Sequence, residues 1–220
     1  MRLEGGVAHL EGGVVVSESE TTAKILDAAQ ALFLRDGYAG VNLDRIAKSA
    51  GVARQTLYNR FGSKESVFRS MLDRHWSKLL QTGRIDDLVD SAPQSAEAVL
   101  RRFAQAILAF VAETDQVSFI RLVVAESRRL PWIAEEFYRA GKEPLLKALV
   151  GQLDRLVTDG HIECRSTELA AYQFFGLLQE VTLWPQVMGI VEFATDLPPA
   201  DEIVEESVAT FMARYAPVAG

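Results

Sequence analysis

The side chains best suited to bind a phosphate or a base edge are concentrated between positions 54 and 64. They are Arg54, Gln55, Thr56, Tyr58, Asn59, Arg60 and Lys64. No Asp or Glu lies between positions 52 and 63, and a carboxylate there would be repelled by phosphate, so the gap favours contact with nucleic acid. Binding of an anionic substrate and an ordinary solvated helix face are the two competing interpretations.

The basic charge of the chain is local. The 220 residues include 23 Lys and Arg against 30 Asp and Glu, which gives a net charge of −7. Residues 40–80 carry 8 basic and 3 acidic residues, a balance of +5, whereas residues 81–220 carry 12 and 21, a balance of −9. Because salt screens exposed charges beyond about 10 Å, the local balance governs a phosphate contact.

Hydrophobic periodicity predicts an all-α chain of about nine helices. Apolar residues recur every three or four positions, the spacing of a helix that is buried on one face. The predicted helices cover about 20–36, 43–50, 54–61, 64–80, 96–113, 117–129, 132–157, 167–188 and 200–215. Gly141 and Pro144 are expected to kink or split segment 132–157, and a turn-rich connector is expected at 86–95.

The second and third predicted helices have the layout of a helix-turn-helix. Asn42 is expected to cap the first of them, and Gly51 separates it from the second. At about 100° per residue, Leu57 and Phe61 share one side of helix 54–61, and the hydrogen-bonding side chains occupy the other. Such a helix can enter the major groove of DNA while its apolar side holds it to the protein.

The run IAKSAGVARQTLYNRFGSKE, residues 46–65, resembles the N-terminal domain of the TetR/AcrR family of bacterial transcriptional repressors. The resemblance covers about residues 20–66. More loosely, FIRLVVAESRRLP (119–131) and FYRAG (137–141) resemble the AefR-like C-terminal domain of some members. With the glycine-rich start of the chain, this predicts a flexible arm at 1–19, a three-helix DNA-binding domain at 20–66 and a ligand-binding and dimerisation domain at 67–220.

The resemblance implies DNA contacts that fit the chemistry of the side chains. Gln55 is expected to read base edges, because its amide can pair with adenine in the major groove, and Arg54 to reach a base or a phosphate. Ala53 stands where the family often has serine, so the recognition helix is expected to lack a side-chain cap, a loss of about 1 kcal/mol. Further contacts, mostly to phosphates, are expected from Asn42, Arg45, Thr56, Tyr58, Asn59 and Lys64.

A homodimer is expected, because one recognition helix contacts only a few base pairs and a symmetric pair can read a palindromic operator. The resemblance places the dimer interface on the last two long helices. Packing of their apolar stripes within the subunit is the alternative. The predicted interface residues are Tyr172, Phe175, Gln179, Val204, Val208 and Phe211.

The resemblance also implies a cavity for a small, largely apolar effector between the C-terminal helices. Inside such a cavity the carboxylate of Glu126 or Glu180 would attract a cationic ligand; the alternative is a salt bridge with Arg121, Arg128 or Arg129. The predicted lining comprises Phe103, Ile107, Phe110, Phe119, Leu122, Glu126, Trp132, Phe137, Phe174, Leu178, Trp184 and Met188.

Other classes of function have less support in the sequence. Cys164 is the single cysteine, and His9, His75 and His161 lack the spacing of metal ligands. No phosphate loop or nucleophile motif indicates an enzyme, no cofactor or metal is expected, and no apolar run could span a membrane. We expect a cytoplasmic repressor that a small molecule releases from DNA. A DNA-binding regulator that responds to a protein partner and an enzyme with an incidental helix-turn-helix remain the alternatives.

Overall fold

The computed structural model describes residues 19–81, 95–190 and 197–217, and within these ranges the chain forms helices and no strands. The predicted arm at 1–19 lies outside them apart from Ser19, and the connector at 86–95 lies outside them apart from Ser95. None of the described helices is long and apolar enough to cross a membrane. The α-helices are α1 (Glu20–Asp36), α2 (Leu43–Ala50), α3 (Arg54–Phe61), α4 (Lys64–Gln81), α5 (Ala96–Glu113), α6 (Gln116–Ser127), α7 (Pro131–Phe137), α8 (Glu143–Thr158), α9 (Thr167–Thr182), α10 (Trp184–Met188) and α11 (Ala200–Tyr215).

Local capping signals account for the first helix boundaries. Ser19 Oγ accepts a hydrogen bond from Thr22 N at 3.3 Å, and α1 ends at Gly37, whose φ of +72° suits glycine. Asn42 Oδ1 accepts from Arg45 N at 2.9 Å, which confirms the predicted cap of α2. Gly51, in the left-handed conformation at φ +66°, ends that helix.

Two of the long predicted helices are divided. Segment 132–157 forms α7, a π-helical turn at Tyr138–Lys142 that contains Gly141, and α8. Pro144 is the second residue of α8, directly after the π-helical turn, and has no backbone N–H to donate to that turn. The single helix predicted at 167–188 is wrong: α9 ends at Thr182 and α10 begins at Trp184. Pro185 supplies the physical reason, because proline cannot continue an α-helix but fits its first turn.

The described helices enclose two hydrophobic cores that share α4. The first core joins α1, α2, α3 and the start of α4 to apolar residues of α6 and α7, including Phe119 and Ile133. The second core joins the later part of α4, from Trp76 onward, to α5, α8, α9 and α11. One continuous helix, α4, therefore joins the second core to the helix-turn-helix. The first core contains residues from both sides of position 66. The domain boundary predicted at position 66 therefore stays a prediction.

Candidate nucleic-acid interface

Helix α3 presents its hydrogen-bonding side chains to solvent and is held by one apolar anchor. Leu57 is fully buried, whereas Gln55, Thr56 and Asn59 are exposed and Tyr58 is 36% exposed. Phe61, the second predicted anchor, is half-buried against the first core. The acid-free face of α3 is therefore open to a partner molecule over its whole length.

The exposed side chains of α3 pair with one another, with α2 and, through Arg60, with the hydroxyls of Ser19 and Thr22 at the start of α1. Gln55 Nε2 donates to Asn59 Oδ1 at 2.7 Å. Arg54 Nε forms an ion pair with Asp44 Oδ1 at 2.8 Å, and its guanidinium lies 5.1 Å from the centre of the Tyr58 ring. The hydrogen bond that Arg54 donates to Tyr58 Oη and the charge of Asp44 raise the pKa of Arg54, so its charge persists. These contacts are solvent-exposed and hence weak, and a DNA strand can replace them.

The start of α3 lacks the cap that the start of α4 has. Ala53 makes no side-chain hydrogen bond to the first turn of α3, as expected for an alanine at this position. Ser63, by contrast, accepts a hydrogen bond from Ser66 N at 3.0 Å. Because α3 has no side-chain cap, it depends on the packing of Leu57 more than α4 depends on any single apolar residue.

Lys64, which was expected to contact a phosphate, is bound within the protein. Its ammonium donates to the carbonyl oxygens of Tyr38 and Val41, both at 2.9 Å, and lies 4.1 Å from the centre of the Tyr38 ring. Burial lowers the pKa of Lys64, and the nearby carboxylate of Glu126 opposes that shift. Two of its three protons are already bound within the protein, so Lys64 holds the α1–α2 loop and is not a free phosphate ligand.

Arg45 is also committed to the protein in the DNA-free structure. Its guanidinium pairs with the carboxylate of Asp36 and donates to the carbonyl of Gly40. Hydrogen bonds from Arg35 and Arg45 hold the pKa of Asp36 well below its usual range. Arg45 therefore reaches DNA only by leaving Asp36, while Asn42 stands exposed at the start of α2.

Glu126 neither enters a cavity nor pairs with the predicted arginines. Its Oε1 accepts a hydrogen bond from Tyr38 N at 2.9 Å, across 88 positions of sequence. A Cβ atom at Gly37 would lie 2.8 Å from the same oxygen, so glycine is needed for this approach as well as for its positive φ. Arg121 instead donates to the carbonyls of Gln186 and Val187 on α10. Glu126 thus joins the end of α6 to the α1–α2 loop.

Trp132 strengthens the same junction. Its ring packs edge-on against Tyr38, with centroids 5.3 Å apart, and against Phe68 at 5.6 Å. Trp132 is therefore part of the contact between α7 and the helix-turn-helix, and not of an effector cavity as predicted. We refer to Lys64, Glu126 and Trp132, grouped around Tyr38, as the Tyr38 clamp.

The remaining predicted cavity residues do not meet in one place. Phe119 and Leu122 belong to the first core. Phe137 packs against both the first and the second core. Trp184 and Met188, at 39% and 63% exposure, lie on the surface. The apolar stripes identify residues that are buried, but each helix packs them against a different neighbour. The second core contains Phe103, Ile107, Phe110, Phe174 and Leu178.

The predicted dimer residues differ in exposure within the single chain. Phe175, Val204, Val208 and Phe211 are each 2% exposed and pack within the subunit. Tyr172 is 45% exposed, and Gln179 is half-buried. The open face of the two helices is a groove of ≈ 630 Å³, and its lining consists of Gln173, Gly176, Leu177, Glu180, Val181, Thr210, Phe211, Arg214 and Tyr215. Glu180 therefore borders this groove and not an internal cavity.

Metal chemistry has no obvious site in the described residues. No group of three His, Cys, Asp or Glu side chains there is arranged to hold a metal ion. Cys164 is half-buried and carries a free thiol. The arrangement that remains is a polar helix surface joined through the Tyr38 clamp to a larger helical domain.

Comparison with known proteins agrees with this architecture. Residues 25–71 match the family model described as bacterial regulatory proteins, tetR family. The HTH-type transcriptional regulator EthR of Mycolicibacterium smegmatis is 36% identical over 86 residues, which are 39% of this chain and 39% of EthR. The chain thus matches well under half of that relative's length.

Solved structures extend the similarity over almost the whole chain. The flavonoid-responsive regulator FrrA superposes with a TM-score of 0.73 at 28% identity, covering 92% of this chain and 100% of FrrA. The transcriptional regulator FadR of Bacillus subtilis, solved with stearoyl-CoA, superposes at 0.64 over 86% of this chain and 96% of FadR, and at 20% identity it shows the fold alone. Residues 98–217, more than half of the chain, match the AefR-like transcriptional repressor C-terminal domain. The chain is therefore a member of the TetR family of transcriptional regulators, with a C-terminal domain of the AefR-like type.

Proposed function

We propose that the protein is a cytoplasmic repressor that binds a palindromic operator as a homodimer and is released by a small, largely apolar molecule. The observation that carries the proposal is the exposed, acid-free face of α3, anchored from behind by Leu57. No catalytic activity, cofactor or metal is part of the proposal.

Five residues of α3 are proposed to contact DNA. Gln55 and Arg54 lie near the helix start, where side chains of a recognition helix meet base edges. Phosphate contacts would fix the register on the duplex and the base contacts would select the sequence. Asn42 and Arg45 on α2 are proposed to add contacts at the edge of the groove. The remaining α3 contacts are Thr56, Tyr58 and Asn59.

A second copy of the chain is proposed to pack on the groove between α9 and α11. Leu177 and Val181 form apolar lining, and Glu180 and Arg214 offer opposite charges at its border. In a two-fold pair the same groove meets itself, so an acidic residue of one subunit can face a basic residue of the other. Such a pair would hold its two recognition helices roughly 34–36 Å apart, one turn of the duplex.

The effector is proposed to act through α4 and the Tyr38 clamp. FrrA is named as flavonoid-responsive, and FadR was solved with stearoyl-CoA, which supports a response to a small molecule in this chain. Binding near the second core would shift α4 and α6, and both reach the α1–α2 loop through Lys64 and Glu126. DNA affinity would then fall by the difference in effector affinity between the two conformations.

Selection of bound fragments from a random DNA pool tests the DNA-binding proposal directly. We expect enrichment of a near-palindromic site, and Gln55→Ala should lose discrimination by about 1–3 kcal/mol at one base pair of each half-site. Gln186→Ala, an exposed glutamine on α10, is the matched control and should select the wild-type sequence. Recovery of unselected DNA by the wild-type chain, or an identical site for Gln55→Ala, would contradict the proposal.

A regulator that responds to a protein partner is the second candidate. It is favoured by large apolar side chains on the surface of α9 and α10, namely Leu169, Tyr172, Trp184 and Met188, at 39–63% exposure. An operator-bound chain that no small molecule releases would favour this candidate over the first.

A further inference from the structure

His75 and Trp76 on α4 carry polar ring atoms that lack partners. Both side chains are buried, with 1% and 6% exposure. His75 Nδ1 and Trp76 Nε1 have no hydrogen-bond partner in the described part of the chain. An unsatisfied buried polar group costs about 1–3 kcal/mol, so such groups call for an explanation such as a bound water or a ligand.

Gln116 determines what each of these atoms offers. His75 Nε2 lies 2.7 Å from Gln116 Oε1, and an amide oxygen only accepts hydrogen bonds, so Nε2 carries the ring proton. Burial lowers the pKa of His75 to about 4, although the hydrogen bond that Nε2 donates to Gln116 opposes the shift, and the ring is neutral near pH 7. His75 Nδ1 is therefore an acceptor, and Trp76 Nε1–H is a donor.

Aromatic side chains from three other elements surround the two rings. Phe119 stacks on His75 with centroids 4.0 Å apart. Phe110 lies 5.0 Å from His75 and 5.3 Å from Trp76, and Phe137 lies 5.1 Å from Trp76. The unpaired atoms thus lie among aromatic rings.

The π-helical turn at Tyr138–Lys142 closes one side of this region. A Cβ atom at Gly141 would lie 1.8 Å from Trp76 Cδ2, so the indole rests directly on bare backbone. π-helical turns are rare and are frequent at functional sites. We call the junction formed by His75, Trp76, Phe110, Gln116 and Gly141 the His75–Trp76 site.

We propose that the His75–Trp76 site binds the hydroxyl group of an uncharged aromatic effector, an inference that rests on the proposed effector response. A hydroxyl donates to His75 Nδ1 and accepts from Trp76 Nε1–H at the same time. The two rings are neighbours, with centroids 5.7 Å apart. A carboxylate has no proton for Nδ1, and neither has a ketone or an ester. An ammonium group cannot accept from the indole.

Three compounds that share one aromatic body distinguish these chemistries. Naphthol, the corresponding methylnaphthalene and the corresponding naphthoate would be titrated calorimetrically into the full chain without DNA. We expect naphthol to bind at least about tenfold more tightly than methylnaphthalene, because it satisfies both ring atoms, and naphthoate to bind more weakly than naphthol.

Two substitutions that keep an aromatic ring test the assignment to these side chains. His75→Phe removes the acceptor and Trp76→Phe removes the donor, so in each variant the preference for naphthol should fall to about twofold or less. His161→Gln, on an exposed histidine, should keep the full preference. In the wild-type chain the nitrogen NMR resonance of His75 Nδ1 should shift on addition of naphthol. This measurement does not depend on the folding of any variant.

The proposal is overturned if naphthol and methylnaphthalene bind the wild-type chain equally, or if none of the three compounds binds. It is equally overturned if the preference for naphthol survives both substitutions. It is also overturned if naphthol binds while the His75 Nδ1 resonance stays fixed, which is the result expected when only a water bridges the two rings. Selection of operator DNA by the ligand-free chain is scored separately. Failure of the repressor proposal is therefore distinguishable from failure of this one.

Discussion

At the scale of single residues, charged side chains are used in two ways in this chain. Lys64 and Glu126 point inward and bind backbone groups of Tyr38, whereas Arg54 is solvent-exposed and paired loosely with Asp44. An inward charge defines a loop conformation, and an exposed charge remains available to a phosphate. This difference separates residues that position α3 from residues that we propose to contact DNA.

The neutral His75 ring should make the stability of the protein pH-dependent. Its pKa is about 4 in the folded chain, below the ordinary value of 6.5, so between these values the unfolded chain binds a proton that the folded chain does not. The free energy of unfolding should therefore be greatest above pH 6.5 and fall by about 3 kcal/mol as the pH drops to about 4. Urea denaturation across this range measures the slope.

His75→Phe is expected to flatten the acid side of that stability profile, because the titrating group is gone. His161→Gln, the matched control, should keep the wild-type slope, since His161 is exposed. A His75→Phe profile as steep as the wild-type one would assign the acid sensitivity to other groups.

At the scale of elements, α3 is a short helix with a weak start. Ala53→Ser should supply the missing cap and raise the free energy of unfolding by about 1 kcal/mol. The added hydroxyl could also bind a phosphate and tighten operator binding. Ala213→Ser, on the exposed side of α11, is the control and should lower stability by a few tenths of a kcal/mol. If Ala53→Ser and Ala213→Ser have the same free energy of unfolding by heat or urea, α3 needs no cap.

The contact between α6 and the α1–α2 loop yields a second prediction at this scale. Glu126→Ala leaves the half-buried Tyr38 N–H without its acceptor, which should cost about 1–3 kcal/mol of stability. Operator affinity and its response to the effector should change by about two- to thirtyfold. Glu126→Gln keeps an acceptor oxygen and should lose less.

The matched control for Glu126 is Glu135→Ala, on the exposed side of α7. It should leave urea unfolding and operator titration close to those of the wild-type chain. If Glu126→Ala behaves like Glu135→Ala in both assays, the Tyr38 clamp does not transmit the state of α6 to the helix-turn-helix.

The elements that sequence predicts well are those with local causes. Asn42, Gly37 and Gly51 end or begin helices through contacts within a few positions, and their roles were predictable. The partner of Glu126 lies 88 positions away, and no periodicity reveals it. Phe211 shows a different limit, because an apolar stripe reports burial without saying whether the neighbour belongs to the same subunit or to a second one.

At the scale of the whole molecule, the two parts of the chain differ in charge and in packing. Segment 40–80, which contains α3, has a balance of +5, whereas segment 81–220 has a balance of −9. An acidic C-terminal domain disfavours contact with phosphates, so DNA is directed to α3. One such helix reads too few base pairs for a unique operator, and in our proposal the α9–α11 groove recruits the second copy.

Substitutions at two exposed glycines test whether the α9–α11 groove is the dimer interface. A Cβ atom at Gly176 on α9 or at Gly151 on α8 would meet nothing within 4 Å, so either can become arginine without a clash inside the subunit. Each replacement should stabilise its helix by about 1 kcal/mol, since glycine is a poor helix former. Gly176 borders the groove, so Gly176→Arg should yield a monomer by analytical ultracentrifugation and lose operator binding. Gly151→Arg should stay dimeric and bind; a dimeric, operator-binding Gly176→Arg would move the interface elsewhere.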